Sequence, residues 1–265
     1  MKVGITALCI PQDWSLDQTL CAIKADGYEA LELALRDEGW FTLDTPRREL
    51  KDIASRAADA GVELVSVCPA LRNRPRDLMT NDAAARKDGM ETMVRAMNAC
   101  RGAGIDTMLL VLGGLTPDLY YDDAWRNALE SMHKLAPEAE ALGVRLAIEY
   151  VWNKFLLSPM EFAAFCDEVG SMNVGFYFDP GNMTIFGYPE HWVRICGRHL
   201  MAVHMKDFKR AGYQWVPLGQ GDVNFAAVMA ELRKTGFYGA LVSEVDRGTA
   251  PFAETAKAIR RIMAM

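Results

Sequence analysis

A chain of 265 residues, 51% hydrophobic and 24% charged, has the size of one closed α/β barrel and a composition that excludes disorder. A formal net charge of −6, with no basic run longer than Arg260-Arg261, excludes a surface built to neutralise nucleic-acid phosphates. No apolar run approaches the ~20 residues of a membrane span, and Met1-Lys2-Val3-Gly4-Ile5 carries no signal-peptide pattern, so a cytoplasmic protein with no membrane partner is expected.

Short apolar runs alternate with helical patterns along the chain. A strand at 3–8 leads to a helix at 16–25, which Ser15 and Gln18 open as a capping box. Strand 30–35 and helix 47–60 follow, then strand 63–67 and helix 82–103, then strand 107–112 and helix 122–142. Strand 145–149 precedes a helix at 159–169, with Ser158 as its cap and Pro159 at its first position. Strands 174–179, 200–206 and 240–244 then alternate with helices 189–196, 225–234 and 252–263. Gly27, Gly61, Gly104, Gly143 and Gly236 each stand between a helix and the next strand, where a left-handed residue ends a helix. Eight strand–helix units without a linker predict one domain over 1–265, a (β/α)8 TIM barrel. An open doubly wound sheet competes, but no Gly-rich phosphate fingerprint follows the first strand. The six cysteines form no Cys-x-x-Cys pair and are expected to be small buried hydrophobes.

The last four strands carry the chemistry. Glu149, Asp179, His204 and Glu244 close, or nearly close, the strands at 145–149, 174–179, 200–206 and 240–244. In a barrel of parallel strands these ends meet at one mouth, where active sites of this fold lie. Taken singly, strand-end carboxylates also cap helices or pair with Lys and Arg. Jointly, on four consecutive strands, they predict a shared divalent-metal site. Three carboxylates and one imidazole suit Mn²⁺ first, with Mg²⁺, Co²⁺ or Zn²⁺ as alternatives. Strands five and eight are three steps apart in a ring of eight, so Glu149 and Glu244 face each other across the ion. That placement suits two-base epimerisation or isomerisation through an enediolate, one glutamate removing a proton beside a carbonyl and the other delivering one to the opposite face.

Further candidates surround this set. Asn182 follows Asp179-Pro180-Gly181, a sequence read as a sharp turn, and either points into the mouth or holds the loop. Lys206, Arg210, Asn153 and Lys154 lie just past strand ends as candidate substrate-binding residues, and Trp14 joins Trp40, Tyr120, Tyr121 and Trp152 as pocket-wall aromatics. His133, His191 and His199 fall away from the mouth and are expected at the surface. Gly219-Gln220-Gly221-Asp222 lacks the Lys-Ser or Lys-Thr of a nucleotide loop, although its backbone amides remain candidates to meet a phosphate.

The segments Val151 to Pro159, Tyr177-Phe178-Asp179-Pro180-Gly181-Asn182, Val203-His204-Met205-Lys206-Asp207 and Gly219-Gln220-Gly221-Asp222-Val223 resemble the sugar-phosphate isomerase/epimerase family of xylose-isomerase-like TIM barrels. Ser66-Val67-Cys68 and Leu71-Arg72 add weaker matches. The resemblance implies that Glu149, Asp179, His204 and Glu244 bind the metal and that Glu149 and Glu244 are the acid/base pair. It also implies a small carbohydrate substrate. Asn182 resembles the ribulose- and xylulose-5-phosphate 3-epimerase branch, whereas Arg210 stands where free-ketose epimerases carry a substrate-binding arginine. The expected function is metal-dependent epimerisation or isomerisation of a ketose or its phosphate. The alternative is a lyase or dehydratase acting on an inosose or 3-oxo-glycoside in the same barrel. A DNA-repair endonuclease of the superfamily would need more histidines and a basic face, and a catalytically silent module would not need all four ligand residues. A homo-oligomer is left open.

Overall fold

Eight parallel strands close on themselves in a computed structural model that describes all residues from Met1 to Met265. The barrel strands are β1 (Lys2–Thr6), β2 (Ala30–Leu35), β3 (Glu63–Pro69), β4 (Thr107–Leu110), β5 (Arg145–Glu149), β6 (Val174–Phe178), β7 (Leu200–Met205) and, after a small hairpin of β8 (Asp207–Lys209) and β9 (Gln214–Val216), β10 (Ala240–Ser243). Their order around the ring is β1-β10-β7-β6-β5-β4-β3-β2, with β2 returning to β1. The helices are α1 (Leu16–Ala25), α2 (Arg47–Asp59), α3 (Ala83–Gly102), α4 (Tyr121–Leu142), α5 (Pro159–Val169), α6 (Pro180–Thr184), α7 (Pro189–Cys196), α8 (Phe225–Lys234) and α9 (Phe252–Met263).

The strands are buried on both faces: every residue of β2, β4, β6 and β10 is shielded from solvent. Such strands read as continuous apolar runs because helices cover one side and the barrel fills the other. A core of 73 buried residues lies between sheet and helices, and Cys68, Leu109, Ala147 and Tyr177 form a separate small cluster. Strand alternation explains the separation. Leu146 and Ile148 belong to the outer core with Phe176 and Phe178, whereas Ala147 and Tyr177 point into the barrel.

The helix boundaries follow their local chemistry. Ser15 and Gln18 form the capping box at α1, and the Ser158 hydroxyl accepts from the Glu161 N–H at α5. The five expected helix-terminal glycines all have positive φ, for example 64° at Gly143 and 73° at Gly236. Two elements depart from expectation. The segment read as a turn after Asp179 is instead α6, a short helix with Pro180 at its start and Asp179 as the capping acceptor. The loop past His204 folds into the β8–β9 hairpin. Strand β1 also stops at Thr6, two residues short of the expected end, because Cys9 and Ile10 donate back to Thr6 and Ala7 in a turn. All six cysteines are free; Cys21 is exposed and Cys9 half-buried, against the expectation of burial for each. No helix is long and apolar enough to cross a membrane.

Candidate metal centre

The period of two that separates the cores also aims the acids. Glu149 continues the inward set of Ala147, Asp179 that of Tyr177, His204 that of Ala202, and Glu244 that of Val242. One ligand atom from each of the four lies within 4.8 Å of the others. His204 Nδ1 is 3.2 Å from Glu149 Oε1 and 3.3 Å from Glu244 Oε2. Lys206 Nζ stands 2.7 Å from Glu244 Oε2 and 3.3 Å from Asp179 Oδ2. Asp179 and His204 are fully buried, Glu149 nearly so, and the Glu244 side chain keeps 22% of its surface exposed.

A fifth acid, absent from the sequence-based site, lies behind the imidazole. Glu32, in the middle of β2, is fully buried, and its Oε1 is 3.0 Å from His204 Nε2. Its other oxygen accepts from the Ser66 hydroxyl at 2.7 Å and the Tyr177 hydroxyl at 2.8 Å. Glu32 therefore fixes one ring nitrogen of His204 and leaves Nδ1 facing the three other carboxylates. A carboxylate on the far side of a ligating histidine is the usual way a metal site orients its imidazole. The signal in the sequence was a lone charge inside the apolar run Ala30-Leu31-Glu32-Leu33-Ala34-Leu35.

The arrangement fits a divalent ion. Asp179 Oδ2 is buried and receives no hydrogen bond, with only the Lys206 ammonium near it. Carboxylates confined this closely are costly unless a cation compensates them. Their oxygens, with one imidazole nitrogen free to ligate, form the oxygen-rich donor set of such an ion.

The two glutamates differ in their electrostatic surroundings. Burial pushes the Glu149 carboxyl up to about 7, only partly opposed by His204. Burial acts on Glu244 in the same sense, but Lys206 and His204 outweigh it and draw the carboxyl down to about 2. Burial works against a charge on His204, yet Tyr177 and the carboxylates of Glu32, Glu149 and Glu244 together hold its pKa well above the ordinary value. The ammonium of Lys206 is likewise favoured, against burial, by Asp179 and Glu244. Burial on one side and neighbouring cations on the other thus push the two carboxyl pKa values apart.

The remaining expected residues divide into those beside the acids and those that hold loops. Asn182 is buried, with Nδ2 3.4 Å from Glu149 Oε1 and 3.1 Å from the Tyr150 carbonyl. Lys206 contacts two of the four acids, and its ammonium lies 4.8 Å from the Trp215 ring centroid. Trp215 stacks on Trp152, whose indole N–H donates to the Asn182 carbonyl at 2.9 Å. Asn153 braces the neighbouring loop through the Gly113 carbonyl at 2.8 Å, and Lys154 is exposed beside it with φ of 66°. Arg210 donates to the carbonyls of Thr184 and Gly187, both at 2.7 Å, and so ties down the loop after α6. Trp14 is half-buried against the core, and its carbonyl accepts from the Trp40 indole. His133 and His191 are exposed, and His199 is paired with Asp167 at 3.0 Å. The Gly219–Asp222 turn does not offer its amides to a phosphate: those of Gly219, Gly221 and Val223 all donate to the buried Asp207 carboxylate.

Two cavities reach the acids from different sides. One of about 510 Å³, between the ends of β3 and β4, reaches Glu149, and another of about 150 Å³ reaches Glu244 and Lys206.

Known proteins share this frame. An L-ribulose-5-phosphate 3-epimerase of Salmonella paratyphi C is 28% identical over 270 residues, spanning 97% of this chain and 92% of its own. A solved L-ribulose 3-epimerase superposes with a TM-score of 0.81 at 22% identity, covering 99% of this chain and 93% of that one. A protein named IOLI, solved with a bound zinc atom, superposes with a TM-score of 0.81 at 18% identity and covers 100% and 98%. The sequence profile of the xylose isomerase-like TIM barrel family matches residues 20–264, and the chain belongs to that family.

Proposed function

We propose that the protein is a divalent-metal-dependent epimerase or isomerase of a ketose or ketose phosphate, with Glu149 and Glu244 as its two acid/base groups. The observation that carries this reading is their placement about His204 Nδ1, 3.2 and 3.3 Å from the same atom, with opposite electrostatic surroundings and access from different cavities. The relatives named for 3-epimerisation of L-ribulose and its 5-phosphate support the substrate class. An ion held by Glu149, Asp179, His204 and Glu244 would supply Lewis-acid stabilisation of the negative charge on substrate oxygens. Mn²⁺ is named first for this ligand mix.

The protein side chains carry the protons. One glutamate takes the proton from the carbon beside the carbonyl, and the electron pair of that C–H bond moves onto the carbonyl oxygen, giving an enediolate. The opposite glutamate returns a proton to the other face, which inverts the carbon. Asn182 positions the Glu149 carboxyl, and the Lys206 ammonium keeps Glu244 ionised. Proton exchange from D2O into L-ribulose 5-phosphate and L-ribulose, followed by NMR, tests the proposal. Label entering the carbon beside the carbonyl is expected, with loss of exchange on chelation and its return with Mn²⁺. Absence of exchange with every ketose tried, or full turnover after complete metal removal, would overturn it.

A further inference from the structure

A cleft between α2 and α3, on the outer wall of the barrel, shares no residue with the two cavities that reach the acids. Its volume of about 670 Å³ lies within the roughly 300–1,000 Å³ of small-molecule pockets. Four cations line it, Arg47 and Lys51 from α2 and Arg95 and Arg101 from α3, and no carboxylate does. In a chain of net charge −6, that is a local reversal of sign. Helical spacing builds it: Arg47 and Lys51 are four residues apart, and Arg95, Asn98 and Arg101 follow at intervals of three. The acids close in sequence are engaged or point elsewhere. Asp44 is held by Arg95 at 2.6 Å and by Arg74 at 3.4 Å. Glu91 pairs with Lys87 at 3.7 Å, Asp52 with Arg56 at 3.3 Å, and Asp106 with Arg145 at 2.9 Å. Glu49, between Arg47 and Lys51 in the chain, does not line the cleft. Of the four cations only Arg95 is therefore neutralised, and Arg47, Lys51 and Arg101 are exposed without a carboxylate partner.

Beneath the cations the cleft is apolar. Leu43, Leu50, Ala99 and Leu142 line it, with Leu50 and Ala99 buried. A Cβ on Gly102 would approach Leu50 Cδ1 to 2.5 Å, so the two helices touch at this floor. Like charges four residues apart on a helix repel one another, and an anion lying between them turns that cost into binding. Guanidinium groups favour planar, paired hydrogen bonds to phosphate oxygens. A single phosphate is much smaller than the cleft. Linked phosphates reach across from α2 to α3, and the leucines beneath accept an organic group attached to them.

We propose that the α2–α3 cleft is a second ligand site, one that binds an oligophosphate through Arg47, Lys51 and Arg101. The site is independent of the chemistry at the barrel mouth and stands whether or not the protein is an epimerase. Calorimetric titration of the full chain, in buffer without added divalent ions, tests it with ADP, pyrophosphate and orthophosphate as probes. The wild type is expected to bind ADP and pyrophosphate at one molecule per chain, and orthophosphate at least about 10-fold more weakly, since fewer charge-assisted hydrogen bonds form. Arg47→Gln/Lys51→Gln is expected to weaken pyrophosphate binding about 10- to 100-fold. Arg48→Gln/Lys257→Gln removes the same charge from exposed positions outside the cleft and is expected to bind as the wild type does. ADP binding more tightly than pyrophosphate would assign the leucine floor to an organic group, and equal affinities would assign the site to the phosphate chain alone. No binding to the wild type, orthophosphate binding as tightly as pyrophosphate, or the same effect in both double variants would overturn the proposal.

Discussion

At the scale of single residues, His204 depends on what stands behind it. With Oε1 of Glu32 on Nε2, the imidazole can offer only Nδ1 to the pocket. Glu32→Gln keeps the shape but removes the charge, and it should weaken Mn²⁺ binding about 10- to 100-fold, as loss of a ligand-orienting partner does. Calorimetric titration of the metal-free variant reads this directly, and an unaltered isotherm would assign Glu32 to the fold alone. Glu149→Gln and Glu244→Gln address the chemistry. Each should leave the circular dichroism spectrum intact and lower kcat by about 10²–10⁴-fold, the usual contribution of a positioned acid or base. Full activity in either variant would eliminate the two-base scheme.

Among the elements, the segments around α6 and the β8–β9 hairpin show how loops acquire precision. Asp179 caps α6 through Oδ1 and turns Oδ2 toward the Lys206 ammonium beside the site, so one side chain both starts a helix and joins the cluster. Asp207, at the root of the hairpin, gathers three backbone N–H groups from the Gly219–Val223 turn and one from Phe208. A Cβ at Gly221 would approach Asp207 Oδ1 to 2.2 Å, so that turn wraps the carboxylate too closely for any side chain. Asp207→Ala should cost about 1–3 kcal/mol by leaving buried donors unpaired. Denaturant unfolding measures the loss, and a change below experimental error would mean that water replaces the carboxylate. Because Trp215 sits on the hairpin against Trp152, the same variant should also alter the tryptophan emission.

For the molecule as a whole, the barrel collects acids at one mouth and must balance them. Glu149, raised from 4.5 to about 7, and His204, raised above 6.5, both hold protons more tightly folded than unfolded. Their stabilising contributions are present below the unfolded values and are lost as pH rises through the folded ones. Glu244, lowered from 4.5 to about 2, contributes above 4.5 and fails only as pH falls toward 2. The metal-free protein should therefore lose thermal stability as pH climbs through neutrality. A divalent ion competes with the same protons, so its binding should strengthen over that range. Scanning calorimetry from pH about 6 to about 8, with and without Mn²⁺, should show a gap in Tm that widens with pH. An excess of about 100 times Kd corresponds to about 2.7 kcal/mol. A gap that is constant or narrows with pH would show that the ion does not displace these protons.

The order of strands and helices, the capping signals and the positive-φ glycines were legible in the sequence because they are set by neighbours a few residues apart. Glu149, Asp179, His204 and Glu244 could be picked out because a strand end in a barrel has a known destination. Glu32 could not be ranked, since its meaning lies in Ser66, Tyr177 and His204, the last of them 172 positions away. The Gly219 turn and Arg210 looked available for substrate because their partners, Asp207 and the carbonyls of Thr184 and Gly187, meet them only when the loops fold over the barrel. Local propensity and periodicity thus determined the architecture and the ligand candidates. Closure of the ring alone decided which polar groups are spent on one another and which are left facing the mouth, because a hydrogen bond or ion pair depends on positions in space that chain distance does not encode.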